Sequence, residues 1–236
     1  MTETRKNLNP EADRIAMVSF DVWLTLIKSN PLFKPARNKM MQQKLGISGV
    51  SERDFNDMLR FTDRGADSVS DATGRQIGFE ERVVLTAQCF GRTAVAAEVL
   101  ASIRASQQEI MQQHTPLLMD ERIPERLSAI HTSGKQVALI SNTGFIDGED
   151  MRVAFDVLGI QDSFDHQIFS NEAQVAKPNS EIFRKLIVAS GIEAPHIVHM
   201  GDNPVADIQG AQAVGMQTRL VNTGELTVVE AIDGIL

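Results

Sequence analysis

The sequence predicts an α/β protein: a parallel sheet covered by helices, with a smaller all-helical insert after the first strand. Three observations carry this. Short apolar runs of strand length recur along the chain. From residue 121 to residue 221 they alternate with helical periodicity, the pattern of crossover connections in a parallel sheet. Between residues 28 and 119 the alternation stops and only helical patterns remain.

Taken in order, Met1 to Arg14 is polar and aperiodic, so residues 1–15 read as a tail. Ala16 to Phe20 is an almost wholly apolar run bounded by polar residues, as in a strand buried on both faces. Similar runs are Gln136 to Ser141, His166 to Ser170, His196 to Met200 and Gln217 to Val221. The helices between them are Glu121 to Thr132, with Ile123, Leu127 and Ile130 on one face, and Asp150 to Leu158. Then come Ser180 to Ser190, stopped by Gly191, and a last helix from Pro204 to before Gly215. Asn179 reads as an N-cap, as does Asn203 ahead of Pro204. The core is thus 16–27 plus 120–236, and the insert is 28–119. In the insert, helices are expected at Ala36 to Leu45, Glu52 to Phe61, Glu80 to Phe90 and Thr93 to Gln113. Thr62 to Gly78, rich in Asp, Ser, Thr and Gly, reads as a loop. Met40, Met41, Met58, Met111 and Met119 fit packing in the insert.

The 236 residues suffice for one ordinary domain, or a core with an inserted second one. A net charge of −8 argues against general binding to nucleic acid or anionic membranes, both of which need a basic face. It leaves room for a small anionic substrate held by local donors. The single cysteine, Cys89, excludes an intrachain disulfide, and its apolar neighbours predict a buried or half-buried thiol. The N-terminus lacks the apolar run of a signal peptide, and no window approaches the ~20 apolar residues of a membrane span. A soluble, cytoplasmic protein is expected. No pattern names a substrate or an oligomeric state.

Ligands of open parallel sheets bind beyond the carboxyl ends of the strands. Asp21 and Thr25 follow the first strand, Ser141 and Asn142 the second, Lys177-Pro178 the third, and Gly201, Asp202, Asn203 and Asp207 the fourth. A carboxylate there can attack an electrophile and become covalently modified. The backbone N–H groups of Val22 and Trp23 can face an anionic oxygen, and the Ser141 hydroxyl and Asn142 N–H a second one. Lys177 can neutralise charge shared by nucleophile and substrate. Asp202 with Asp21 can hold a hard cation such as Mg²⁺. His166, His196 and His199 flank strands with no zinc spacing and read as core or surface imidazoles. Of the insert's basic residues Arg53, Arg60, Arg64 and Arg75, the pair bracketing the polar stretch, Arg64 and Arg75, are the candidates for substrate recognition.

Four ordered motifs carry a resemblance: Asp21-Val22-Trp23-Leu24-Thr25-Leu26, Ile140-Ser141-Asn142, Ala176-Lys177-Pro178, and the stretch from Met200 through Gly201-Asp202-Asn203-Pro204 to Ile208. Together they resemble the haloacid dehalogenase superfamily, most of whose members are Mg²⁺-dependent phosphatases. The resemblance implies a Rossmann-like core with a helical cap inserted between the first and second motifs. It implies that Asp21 is a nucleophile forming an aspartyl-phosphate, that Ser141 binds a phosphate oxygen and that Lys177 holds Asp21 and the phosphate. Asp202 would ligate Mg²⁺ with Asp21 and the Trp23 carbonyl; Asp207 would be a further ligand or would orient Lys177.

The pattern departs at Trp23, where phosphatases of the superfamily usually carry a second Asp acting as acid and base. An indole has no such function near neutral pH, and acid–base assistance is worth 10²–10⁴-fold. Three readings follow. The first is a phosphatase for a small phosphorylated metabolite, with a good leaving group or a proton supplied by the cap. The second is a 2-haloacid dehalogenase, whose halide leaving group needs no proton; Gly201-Asp202-Asn203, however, resembles the metal-binding phosphatase form. The third is a catalytically weak protein that binds a phosphate ligand or a protein partner.

Overall fold

The computed structural model describes residues 15–236. Apart from Ile15, the expected tail lies outside the described residues. Strand β1 (Met17–Phe20) is central in a five-stranded sheet of order β5-β4-β1-β6-β7. Its companions are β4 (Gln136–Ser141), β5 (His166–Phe169), β6 (Ile197–Gly201) and β7 (Gln217–Leu220). All pairings are parallel, and Phe20 is level with Leu139 of β4 and Met200 of β6. The strand ends carrying Asp21, Ser141 and Gly201 therefore meet at one edge.

The alternation of side chains along each strand builds a three-layer sandwich. Val18 and Phe20 join Val137, Leu139, Val198 and Met200 on one face. There α5 (Ile123–Thr132), α6 (Gly148–Val157) and α10 (Val228–Asp233) cover them. Met17 joins Ala138, Ile140 and Ile197 on the other, under α8 (Ser180–Ser190) and α9 (Gly210–Gln212). A short helix α7 (Ser170–Ala173) follows β5 directly.

Helices α1 (Phe33–Lys44), α2 (Glu52–Thr73), α3 (Phe79–Cys89) and α4 (Ala97–Gln113) fill the stretch after β1. They bury an apolar cluster of their own, built on Met41, Leu45, Phe55, Leu59, Phe79, Val83 and Ile103, into which Phe145 projects from the loop after β4. An antiparallel ribbon of β2 (Ile27–Lys28) and β3 (Leu117–Leu118) ties the two ends of this stretch together. Two-residue strands carry no periodicity, so this ribbon has no sequence signal.

Several expectations are corrected. The stretch 62–78 is not a loop up to Gly78, because α2 continues to Thr73. Its polar residues face a polar cleft: Asp63 and Asp67 take the buried Arg82, and Ser70 is itself buried. After Leu59 the buried positions of this helix are only the small Ala66 and the polar Ser70, too little to mark an apolar stripe. The helix begins at Ser51, whose hydroxyl accepts from the Asp54 N–H, and stops at Gly74, a left-handed C-cap with φ +68°. Cys89 is exposed rather than buried, because it closes α3 on the outer side. The last helix does run from Pro204 to before Gly215, opening as a wide π-type turn in which Asp207 and Ile208 N–H both reach the Asn203 carbonyl and continuing into the short α9. Asn203 and Asn179 do cap their helices. No described helix is long and apolar enough to cross a membrane.

Candidate active site

Asp21 follows β1 in register, its N–H bonded to the Met200 carbonyl at 2.8 Å. The chain then turns back on itself: Leu26 and Ile27 N–H both donate to the Val22 carbonyl, and Leu24 N–H to Ile27 O. Leu24 adopts φ +61°, a costly conformation for a branched side chain. Asn222 holds it, donating to the Leu24 and Thr25 carbonyls at 2.9 and 3.0 Å while accepting from Val228 N–H. The turn brings the Thr25 hydroxyl to Asp21 Oδ2 at 3.2 Å.

Lys177 is the hub of the site. It is buried, and its ammonium donates to Asp21 Oδ1 (2.6 Å), Asp207 Oδ1 (2.7 Å) and the Ile140 carbonyl (2.8 Å). Three protons meet three acceptors, which is how a buried ammonium remains charged. Desolvation opposes its charge, but Asp207 and Asp21 outweigh it and raise its pKa. Asp207 also accepts from Asn203 N–H at 2.9 Å, and its carboxyl is held well below the ordinary range by Lys177 and His199 against the cost of burial. Gly201 is required here, since a Cβ would overlap the Asp207 carboxylate. Behind this layer His199 is fully buried, 3.0 Å from the Ser19 hydroxyl and 3.5 Å from Asp207. Burial lowers its pKa, against the opposing pull of Asp207.

Asp21 is pushed up to about 6, chiefly by burial, with Asp207 and Asp202 adding to the rise and Lys177 opposing it. Asp202 is half-buried, has no cation partner among the described residues, and is likewise raised by burial and by Asp207. Ligand atoms of Asp21, Asp202 and Asp207 lie within 4.8 Å of one another. Three carboxylates thus surround one ammonium, and every donor is a hard oxygen. This donor set fits Mg²⁺, whose charge would offset the excess. Both Asp207 oxygens already accept hydrogen bonds, which suits it to orient Lys177.

A cavity of about 460 Å³ opens above these groups. Asp21, Trp23, Asn142, Lys177, Asp202 and Asp207 line it from the sheet side. Val22 and Ser141 do not; Ser141 is fully buried and its hydroxyl reaches only the Asn142 carbonyl, at 3.4 Å. The Asn142 side chain pins the backbone of Lys177.

The facing wall comes from the helical stretch. Neither Arg64 nor Arg75 lines the cavity, and nor do Arg53 and Arg60; Arg75 is on the surface, paired with Glu81 at 2.8 Å. The cations on this wall are Lys34, Arg37 and Arg82. Arg82 is bound by Asp63 and Asp67. Arg37 is 5% exposed and has no carboxylate partner among the described residues. It donates to Asn38 Oδ1 and stacks 4.6 Å from the Phe145 ring. Desolvation pushes it down to about 10. Sequence reasoning missed Arg37 because a helical Arg four residues after Phe33 looks like any solvated position.

The fold and site place a buried, lysine-held carboxylate at the tip of a central parallel strand. The haloacid dehalogenase-like hydrolase model matches residues 15–215, and the chain belongs to that family. The glyceraldehyde 3-phosphate phosphatase of Pyrococcus abyssi is 41% identical over 61 residues, 26% of each chain. Human haloacid dehalogenase-like hydrolase domain-containing protein 3 is 32% identical over 102 residues, 41% of this chain and 37% of that one. The similarity therefore spans well under half the length of either relative. Among solved structures, the magnesium-bound HAD-hydrolase YfnB of Bacillus subtilis superposes with a TM-score of 0.67 at 16% identity, covering 89% of both chains. That likeness is one of fold.

Proposed function

We propose that the protein is a Mg²⁺-dependent phosphatase acting on a small phosphorylated metabolite through an aspartyl-phosphate on Asp21. The observation that carries this reading is the site at Asp21: a buried carboxylate held by Lys177 at 2.6 Å, grouped with Asp202 and Asp207, at the floor of a cavity.

In this reading one Asp21 oxygen attacks phosphorus. Lys177 fixes the other and balances charge as the phosphoryl group arrives. The Trp23 and Asn142 N–H groups, whose residues line the cavity from the sheet side, receive phosphoryl oxygens. Asp21, Asp202 and the Trp23 carbonyl are the residues that would hold Mg²⁺, with Asp207 ordering Lys177 beside them. A bound Mg²⁺ supplies charge neutralisation to the phosphate. Helices α1 to α4 act as a cap that excludes water and selects the substrate. The acidic charge and lone cysteine suit a cytoplasmic enzyme.

The dehalogenase alternative draws on Trp23, but it has no use for the carboxylate group around Asp202. A panel of phosphate esters and acyl phosphates with Mg²⁺ tests the proposal. Turnover that Asp21→Asn abolishes without unfolding the protein supports it. No turnover of any member, with halide release from a 2-haloacid in chelator, would overturn it. A ligand that protects against unfolding without being consumed would point to a binding role instead.

A further inference from the structure

We propose that Asp71, on the last turn of α2, is the general acid and base of the reaction, supplying from across the cleft what Trp23 lacks. This assignment rests on the phosphatase reading above.

Position is the first argument. The C-terminal end of α2 is docked on the loop that carries Lys177: the Gly74 carbonyl accepts from Ala176 N–H at 2.9 Å. Gly74 combines a left-handed φ with an approach so close that a Cβ would overlap Asn179. Just beyond, Gln76 donates to the Thr143 carbonyl at 3.0 Å. The end of α2 is thus fastened to two loops of the sheet edge, and Asp71 lies one turn before the fastening. With Asp67 and Ser70 it shares the helix face that lines the cavity.

Elimination is the second. An in-line attack by Asp21 puts the leaving oxygen on the far side of phosphorus, toward the cavity and its helical wall. The carboxylates on that wall are Asp63, Asp67 and Asp71. Arg82 holds the first two in ion pairs. Asp71 has no hydrogen bond or ion pair among the described residues. No histidine lines the cavity. Asp71 is therefore the one carboxyl of this wall, among the described residues, that no cation holds, and the one we assign the proton transfer. Burial, with the charges of Asp67 and Asp207, raises its pKa, which favours the acid form a proton donor needs.

The proton balance is simple. Asp21 forms an O–P bond as the P–O bond to the leaving group breaks. The electron pair of that bond goes to the leaving oxygen, which takes the Asp71 proton and departs as an alcohol. Asp71, now a carboxylate, takes a proton from the water that attacks the aspartyl-phosphate. The Asp21–phosphorus bond breaks, inorganic phosphate leaves, and both carboxyls return to their starting states.

The test is a leaving-group series, from p-nitrophenyl phosphate to alkyl phosphates, with native protein, Asp71→Asn and Asp71→Glu in Mg²⁺. The readout is kcat/KM, which reports the step that expels the leaving group. Asp71→Asn is expected to lose about 100-fold on alkyl phosphates and only a few-fold on p-nitrophenyl phosphate. Asp71→Glu is expected to recover part of the loss. An equal loss across the series overturns the assignment while leaving the phosphatase reading intact. No turnover of any ester by the native protein overturns both.

Discussion

Asn142 and Lys177 grip each other twice. The Asn142 amide donates to the Lys177 carbonyl at 3.0 Å and accepts from the Lys177 N–H at 2.7 Å. This closes the loop after β4 onto the loop after β5 and aims the lysine stem at Asp21. Asn142→Asp keeps the acceptor but sets a carboxylate against a carbonyl. We expect a loss of about 1–3 kcal/mol in urea unfolding. We also expect a fall in kcat larger than any rise in KM, because the ammonium loses its position.

Arg37 is a buried cation with no ion-pair partner among the described residues, an arrangement that costs folding energy. Arg37→Met preserves length and packing against Phe33 and Phe145 without that cost. The variant should unfold at higher urea, by about 1 kcal/mol. Inorganic phosphate should protect it against heat less than it protects the native protein. A variant that is less stable would show that the guanidinium stacking outweighs its desolvation.

His199 sets a pH dependence of stability. Its folded pKa lies below the ordinary 6.5, so the unfolded chain takes up the proton first. The contribution is complete above about pH 6.5 and is lost as pH falls toward the folded value. Urea midpoints taken across that window should fall more steeply with acid for native protein than for His199→Gln. Equal slopes would mean that the imidazole titrates freely in the fold.

Mg²⁺ should raise the melting temperature, because three convergent carboxylates repel one another without it. Asp202→Asn should abolish that shift while raising the melting point of the metal-free protein. The same rise without loss of the Mg²⁺ response would place the ion elsewhere.

Trp23→Asp is expected to restore turnover of alkyl phosphates to an Asp71→Asn background. An aspartate at position 23 would offer the missing proton from the floor of the cavity. Steady-state assays of the double variant read this directly. A restored rate of zero would show that position 23 does not face the leaving oxygen.

Much of the sheet and its site was legible because it rests on local signals. Apolar runs such as Gln136 to Ser141 mark the strands, and a parallel sheet gathers whatever follows them. Asp21, Lys177, Asp202 and Asp207 were found this way. The facing wall was not legible, because it depends on which side of a helix meets a polar cleft. Asp63, Asp67, Ser70 and Asp71 have the composition of a loop yet belong to the second half of a helix, where they line the cavity. Arg64 and Arg75 bracket that segment but do not line the cavity, whereas Lys34, Arg37 and Arg82, which carry no pattern, do. Ser141 illustrates the limit of a motif: sequence places it at the right strand end, and packing buries it below the cavity.

The turn at Leu24 ties Asp21, the nucleophile we propose, to the segment around α10. Asn222 clasps the Leu24 and Thr25 carbonyls with its amide and anchors the first residue of α10 with its oxygen. Asn222 thus works as a rivet between the opening and closing segments of the fold. Trimming the chain after Val221 would remove no chemical group from the cavity, yet it would release the strained corner on which Asp21, Trp23 and Thr25 are mounted. Residues outside the cavity would then govern how sharply the Asp21 carboxylate is aimed.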